Sequence, residues 1–227
     1  MKVYVVGDFH ARWVYPNYFF KNNPEEAIYL QCGDFGYWPH FEKHRIMEFD
    51  IRNNNSKIHF CDGNHEDHHS LLKLTDNEIC PNVFYMKRGS TLTLPDGRVV
   101  LFMGGADSID KNSRMMGVDW FPEETMTQKD IMKLPNTHID IVISHTCPRE
   151  IDIQNEFNDI TGRKDNDPSR EGLSFVLNKY KPSLWYFAHW HCYATGFLSG
   201  TNTKWTCLDQ AGYDEDGEEY KWITELE

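Results

Sequence analysis

Short apolar runs, each closed by a polar residue next to a glycine, recur along this chain. Residues 3–6 end in Gly7-Asp8, residues 27–32 run into Gly33-Asp34, and residues 57–61 lead to Asp62-Gly63-Asn64. Their shortness and β-branched content predict buried strands. Between the second and third runs, residues 39–53 space Phe41, Ile46, Phe49 and Ile51 as a helical stripe, and Pro39 suits its first turn. Strands alternating with helical patterns predict βαβ units.

The middle of the chain reads differently. Residues 90–94 and 98–103 alternate around Pro95-Asp96-Gly97 and predict a hairpin. Residues 104–124 are polar and irregular, and 125–134 read as a short helix. Residues 139–143 form another buried run, ending at Ser144-His145. Residues 149–168 read as a long loop or lid. A helix over 169–179 follows, with Ser169 as its N-cap. Residues 184–188 predict a strand feeding His189, 193–208 a final hairpin, and 214–219 a solvated acidic turn. No internal repeat or clean boundary appears, so residues 1–227 are read as one domain.

The formal net charge of -12 disfavours non-specific nucleic-acid binding. It leaves a phosphate substrate open, because bound divalent cations reverse the local potential. Six cysteines without a C-x-x-C pair read as reduced, mostly buried thiols. With no leader sequence and no apolar run near 18 residues, the expected location is cytoplasmic, with no membrane partner.

The polar residues after the runs carry the chemistry. The i, i+2 spacing of Asp8 and His10, and of His189 and His191, predicts side chains on one side of extended chain. Asp34, Asn64-His65 and His145 each follow a predicted strand. Together these residues offer carboxylate, amide and imidazole donors for a two-cation site about 3.5–4 Å across.

In order, Asp8-Phe9-His10, Gly33-Asp34, Gly63-Asn64-His65-Glu66, Ser144-His145 and His189-Trp190-His191 resemble the motifs of the calcineurin-like metallophosphoesterase superfamily, over residues 7–191. The resemblance implies a four-layer αββα sandwich of two mixed β-sheets flanked by helices. It implies one metal held by Asp8, His10, Asp34 and His191, and a second held by Asp34, Asn64, His145 and His189. Asp34 would bridge them. It also implies hydrolysis of a phosphate ester, a monoester or a diester, by a metal-bridging hydroxide, with His65 as general acid. Manganese leads as the metal, with iron, zinc or magnesium as alternatives, and the partner is a small phosphate ester such as a nucleotide.

Ala188 stands where the family usually has glycine, and Ala11 where many members have it. Gly33-Asp34-Phe35-Gly36-Tyr37 lacks the aspartate and arginine of the protein phosphatase branch, so a partner for His65 is not evident. The block 104–110 with Trp120 to Glu123 resembles a bacterial or phage subgroup without a firm substrate. Arg12, Lys111 and Arg114 are the candidates for contacting phosphate. His40 and His44, at i and i+4, read as a solvated face. His68 and His69 read as surface helix positions. Phe9, Phe35, Tyr37, Trp38, Trp120 and Trp190 read as a wall behind the ligands, with nucleobase stacking as the alternative. Cys192 reads as a buried spacer. A nuclease and a non-catalytic scaffold are the rival functions.

Overall fold

The computed structural model describes residues 1–23, 25–41, 55–153 and 167–227. Most of the predicted helix over 39–53, with His44, and most of the predicted lid over 149–168 lie outside them. The first sheet holds β1 (Lys2–Val6), β2 (Ala27–Gln31), β3 (Lys57–Phe60), β4 (Glu78–Cys80), β5 (Val83–Tyr85) and β12 (Ile223–Glu225). The second holds β6 (Thr91–Thr93), β7 (Val99–Met103), β8 (Ile141–Ser144), β9 (Leu184–Phe187), β10 (Ala194–Phe197) and β11 (Lys204–Cys207).

The sheets share one plan. The first runs β12-β1-β2-β3-β5-β4 and the second β10-β11-β9-β8-β7-β6. In each, four parallel strands are closed at both edges by an antiparallel strand. The parallel strands bury both faces, which is why they read as continuous apolar runs. Along β7, Val100 and Phe102 face the layer between the sheets, whereas Leu101 and Met103 face outward. Trp185 and Phe187 of β9 likewise face outward, and Tyr186 faces the other sheet. The hairpin predicted over 90–103 is the β6–β7 pair, with Thr91 opposite Leu101.

Helices cover the outer faces. Helix α1 (Val14–Asn22) places Phe20 against Tyr29, and α2 (His68–Leu72) adds Leu71 to the same cluster. On the other side lie α3 (Gln128–Met132) and α4 (Pro168–Tyr180), whose Leu173, Val176 and Leu177 pack on the second sheet. The fold is thus the expected αββα sandwich of two mixed sheets. Leu173 is fully buried, and shortening it to alanine would cost about 2–5 kcal/mol.

Two local expectations are corrected. Helix α4 is capped by Asp167, whose side chain accepts from the Ser169 N–H at 2.7 Å. Pro168 takes the first turn, where its missing N–H costs nothing, and the Ser169 hydroxyl instead accepts from the Met126 N–H at 2.9 Å. His68 is buried rather than on the surface, because α2 lies against Phe121 and the first sheet. His69, on the exposed side, comes within 3.7 Å of Glu123.

Candidate metal centre

Every predicted ligand follows the carboxyl end of a parallel strand. Asp8 and His10 follow β1, Asp34 follows β2, Asn64 and His65 follow β3, His145 follows β8, and His189 and His191 follow β9. Both sheets present these ends along one edge of the sandwich, where ligands of open α/β sheets gather.

The turns that aim the side chains are strained. His10, Asp34, His189 and His191 have φ of 50°, 49°, 70° and 47°. A non-glycine residue in this left-handed region costs about 1–3 kcal/mol, so the surrounding structure must enforce it. Gln31 does part of this work. Its amide donates to the carbonyls of Gly7 and Gly33 and accepts from the Gly33 N–H, tying the first two motif loops together. Glu66 does the rest for the second loop, accepting the backbone N–H groups of Phe35, Gly36 and Tyr37 at 2.7, 3.1 and 2.6 Å. Gly63 is required for close approach: a Cβ there would lie 2.0 Å from Asp34 Oδ1.

The donor atoms form two adjoining groups. In one, His191 Nε2 lies 2.9 Å from His10 Nε2 and 3.2 Å from Asp8 Oδ2. In the other, His145 Nε2 lies 2.9 Å from Asn64 Oδ1, 3.2 Å from His189 Nδ1 and 3.4 Å from Asp34 Oδ1. Asp34 joins them, since its Oδ2 is 3.5 Å from His10 Nδ1. The Asp34 Oδ1 also accepts the His65 backbone N–H at 2.7 Å.

This donor set fits divalent cations. Anionic oxygens and imidazole nitrogens crowd at distances where several lone pairs face one another, an arrangement a shared cation would neutralise. His145 Nδ1 lies 2.8 Å from the Cys32 carbonyl, which can only accept, so Nδ1 carries the proton and Nε2 is left free for a ligand bond. Burial would raise the Asp34 carboxyl, but His145, His65 and His10 outweigh it and hold it well below the usual carboxylate range. Burial drives His189 well below the ordinary histidine value, and the His145 ring adds to this. Burial also lowers His10, against the pull of Asp34 and Asp8. Burial would lower His191, but its hydrogen bond to Asp8 together with the charges of Asp8, Asp34 and Asp209 outweighs it and raises the ring.

Beside the centre lies a cavity of about 420 Å³, lined by His10, Trp38, Phe41, His65, Asp110, Arg114 and Asp119. Of the predicted phosphate contacts, only Arg114 lines it. Its NH1 donates to Ser108 Oγ at 2.7 Å, and its NH2 donates to the carbonyls of Asn64 and Asp119. Lys111 is held by Asp107 at 2.7 Å, and Arg12 donates to Gln210 at 3.2 Å. The aromatic residues divide. Phe9 and Phe35 are fully buried behind the ligands, whereas Trp38 faces the cavity. His40 is exposed, as expected of a solvated face, and Cys192 is half-buried rather than buried. Ala188, in place of the family glycine, is fully buried and donates to the His145 carbonyl. Sequence reasoning did not reach Gln31, Ser108 and Glu124. A lone polar residue inside an apolar strand was the available signal for Gln31, and the pairing of Ser108 with Glu124 across 16 positions leaves none.

Residues 1–193 match the calcineurin-like phosphoesterase family. None of the curated protein sequences matches the chain. Among solved structures, phosphopantetheinyl hydrolase from Mycobacterium tuberculosis is similar, with a TM-score of 0.52 at 11% identity over 99% of this chain and 95% of that one. A putative 5'-nucleotidase from Staphylococcus aureus, in complex with alpha-ketoglutarate, also has a TM-score of 0.52, at 13% identity over 99% of this chain and 53% of that one.

Proposed function

The chain belongs to the calcineurin-like phosphoesterase family and is a metal-dependent phosphoesterase; from that premise we propose that its centre takes two divalent cations and that His65 protonates the departing oxygen. The observation that carries this reading is the double exposure of Asp34, one carboxylate oxygen toward His145 and the other toward His10. One anion set between two nitrogen clusters is what a pair of cations requires. Two such cations would lower the pKa of a water and clamp the phosphate oxygens.

The protein's own residues supply the rest. His145 is held in one tautomer by Cys32. The His65 loop is pinned to Asp34 through its backbone N–H, so the imidazole is delivered beside His10, with ring centroids 5.1 Å apart. From there His65 reaches into the cavity where a leaving group would lie, the position a general acid needs.

The cavity favours a diester with an aromatic or uncharged leaving group. Trp38 and Phe41 meet edge to face at 5.8 Å and form an apolar wall, and Asp110 and Asp119 stand nearby. The Arg114 guanidinium is engaged by protein acceptors and paired with Asp110 at 3.4 Å, and the Asp119 carboxylate repels a second anionic group. A nucleoside-bearing diester fits this description. The donor set holds no sulfur, which suits manganese first and iron, zinc or magnesium after it. The absence of a disulfide among the described cysteines agrees with a reducing, cytoplasmic setting, and none of the described helices is long and apolar enough to cross a membrane.

The test is hydrolysis of bis-p-nitrophenyl phosphate against p-nitrophenyl phosphate with added Mn²⁺, in wild type and Trp38→Ala. Faster turnover of the bis-ester, with KM raised about tenfold in the variant, is expected. Preference for the monoester would overturn the diester assignment.

A further inference from the structure

Ser108 and Glu124 lie behind the centre and touch none of its imidazoles, yet their hydrogen bonds set the direction of one ligand. Glu124 is fully buried. Its Oε1 accepts the Ser108 backbone N–H at 2.7 Å, and its Oε2 lies 2.8 Å from Ser108 Oγ. A carboxylate offers only lone pairs, so the Ser108 hydroxyl must donate to it. The serine oxygen is thereby left as an acceptor, and two donors use it: Arg114 NH1 at 2.7 Å and Asn64 Nδ2 at 3.0 Å. With the Asn64 NH₂ group committed to Ser108, its carbonyl oxygen is turned toward His145 Nε2.

We propose that Glu124 and Ser108 are positioning residues that present the Asn64 oxygen, rather than its NH₂ group, to the cation held with His145 and His189. An asparagine has two ends of similar shape and opposite polarity, and a cation tolerates only the oxygen. The inference rests on the proposed two-cation reading. The same serine oxygen binds Arg114 on the cavity wall, so one buried carboxylate orders both the centre and the floor of the leaving-group site.

The isosteric change Glu124→Gln inverts the relay. The glutamine oxygen must take the Ser108 N–H, because its NH₂ would face another donor there. Its NH₂ then points at Ser108 Oγ and donates to it. The serine hydroxyl is released to donate to Asn64 instead, which favours the flipped amide.

The test is Mn²⁺ titration by calorimetry and electron paramagnetic resonance on wild type, Asn64→Ala, Glu124→Gln and Ser108→Ala, each with a thermal melt. Wild type is expected to bind two Mn²⁺. Glu124→Gln and Ser108→Ala should weaken one of the two by about 10- to 100-fold, as loss of partners behind a metal ligand does. The other ion should keep its affinity, and Asn64→Ala should lose the same ion. A purely structural role would lower the melting temperature of the metal-free protein and weaken both ions together, and that joint result overturns the proposal. So does tight binding of two ions by Glu124→Gln when Asn64→Ala has lost one. Binding of fewer than two ions by wild type would instead remove the two-cation reading, and the proposal with it.

Discussion

Replacing Gly63 with alanine perturbs the centre from behind without deleting a ligand. The added Cβ would sit 2.0 Å from Asp34 Oδ1 and 2.2 Å from the Asp34 backbone nitrogen. Carbon contacts are comfortable only near about 3.5 Å, so the two loops must part by about 1 Å or more. Asp34 cannot retreat alone, because its carbonyl accepts the N–H groups of Phe9 and His10 at 3.0 and 2.8 Å. The strain therefore spreads into the turn that carries His10. Overpacking of this kind costs about 1–3 kcal/mol, or a fall of about 3–10 °C in Tm for a chain of this size. A misplacement of about 1 Å at reacting groups costs about a hundredfold in rate. Calorimetric melts and Mn²⁺-dependent hydrolysis of bis-p-nitrophenyl phosphate on one preparation measure both effects. A Gly63→Ala protein with wild-type Tm and activity within about threefold would refute the close approach of the two loops.

Asp34→Asn should lose turnover and hold at most one Mn²⁺, because an amide gives a second cation no charge; wild-type activity with Mn²⁺ would refute its bridging position. His65→Ala should keep both ions and lose about 10²–10⁴-fold in kcat for an alkoxide leaving group, and much less for p-nitrophenolate. Equal losses in a comparison of the two esters would remove the acid role. Burial lowers His59 and His68 from 6.5 to about 4, so the unfolded chain takes up these protons first as the pH falls. Their stabilisation is complete above about pH 6.5 and is lost toward pH 4, by about 3 kcal/mol for each ring. Urea midpoints of metal-free protein across that range should fall accordingly, and more shallowly in His59→Phe, which keeps the stacking on Phe84; a flat wild-type profile would refute it.

The parallel strands were legible because burial on both faces writes an uninterrupted apolar run, and the motif residues stood out as polar groups at the ends of those runs. Strands β4, β5 and β12 were not, because three residues carry no period. Helix α1 has Trp13 at its N-cap position with no side-chain cap, and so lacks the usual capping signal. For α4, Ser169 had the right chemistry for a cap and the wrong place, since the proline before it favours Asp167 one residue further back. The candidate ligands were readable as polar residues at strand ends and through the family resemblance, but what holds them in place was not. Four candidate ligands with left-handed backbone look ordinary in sequence, and Glu124 acquires meaning only once residues 108 and 124 are brought together.

Strand β1, which delivers Asp8, lies between β2 and β12, and its outer neighbour comes from residues 223–225. Trp222 packs beside Phe9 at 6.1 Å and accepts the Gly7 N–H through its carbonyl. The edge of the strand that carries Asp8 is therefore sealed only by a segment far along the sequence, residues 223–225. A chain clipped before Trp222 would expose a sticky β-strand edge beside Asp8 where the sheet is now sealed.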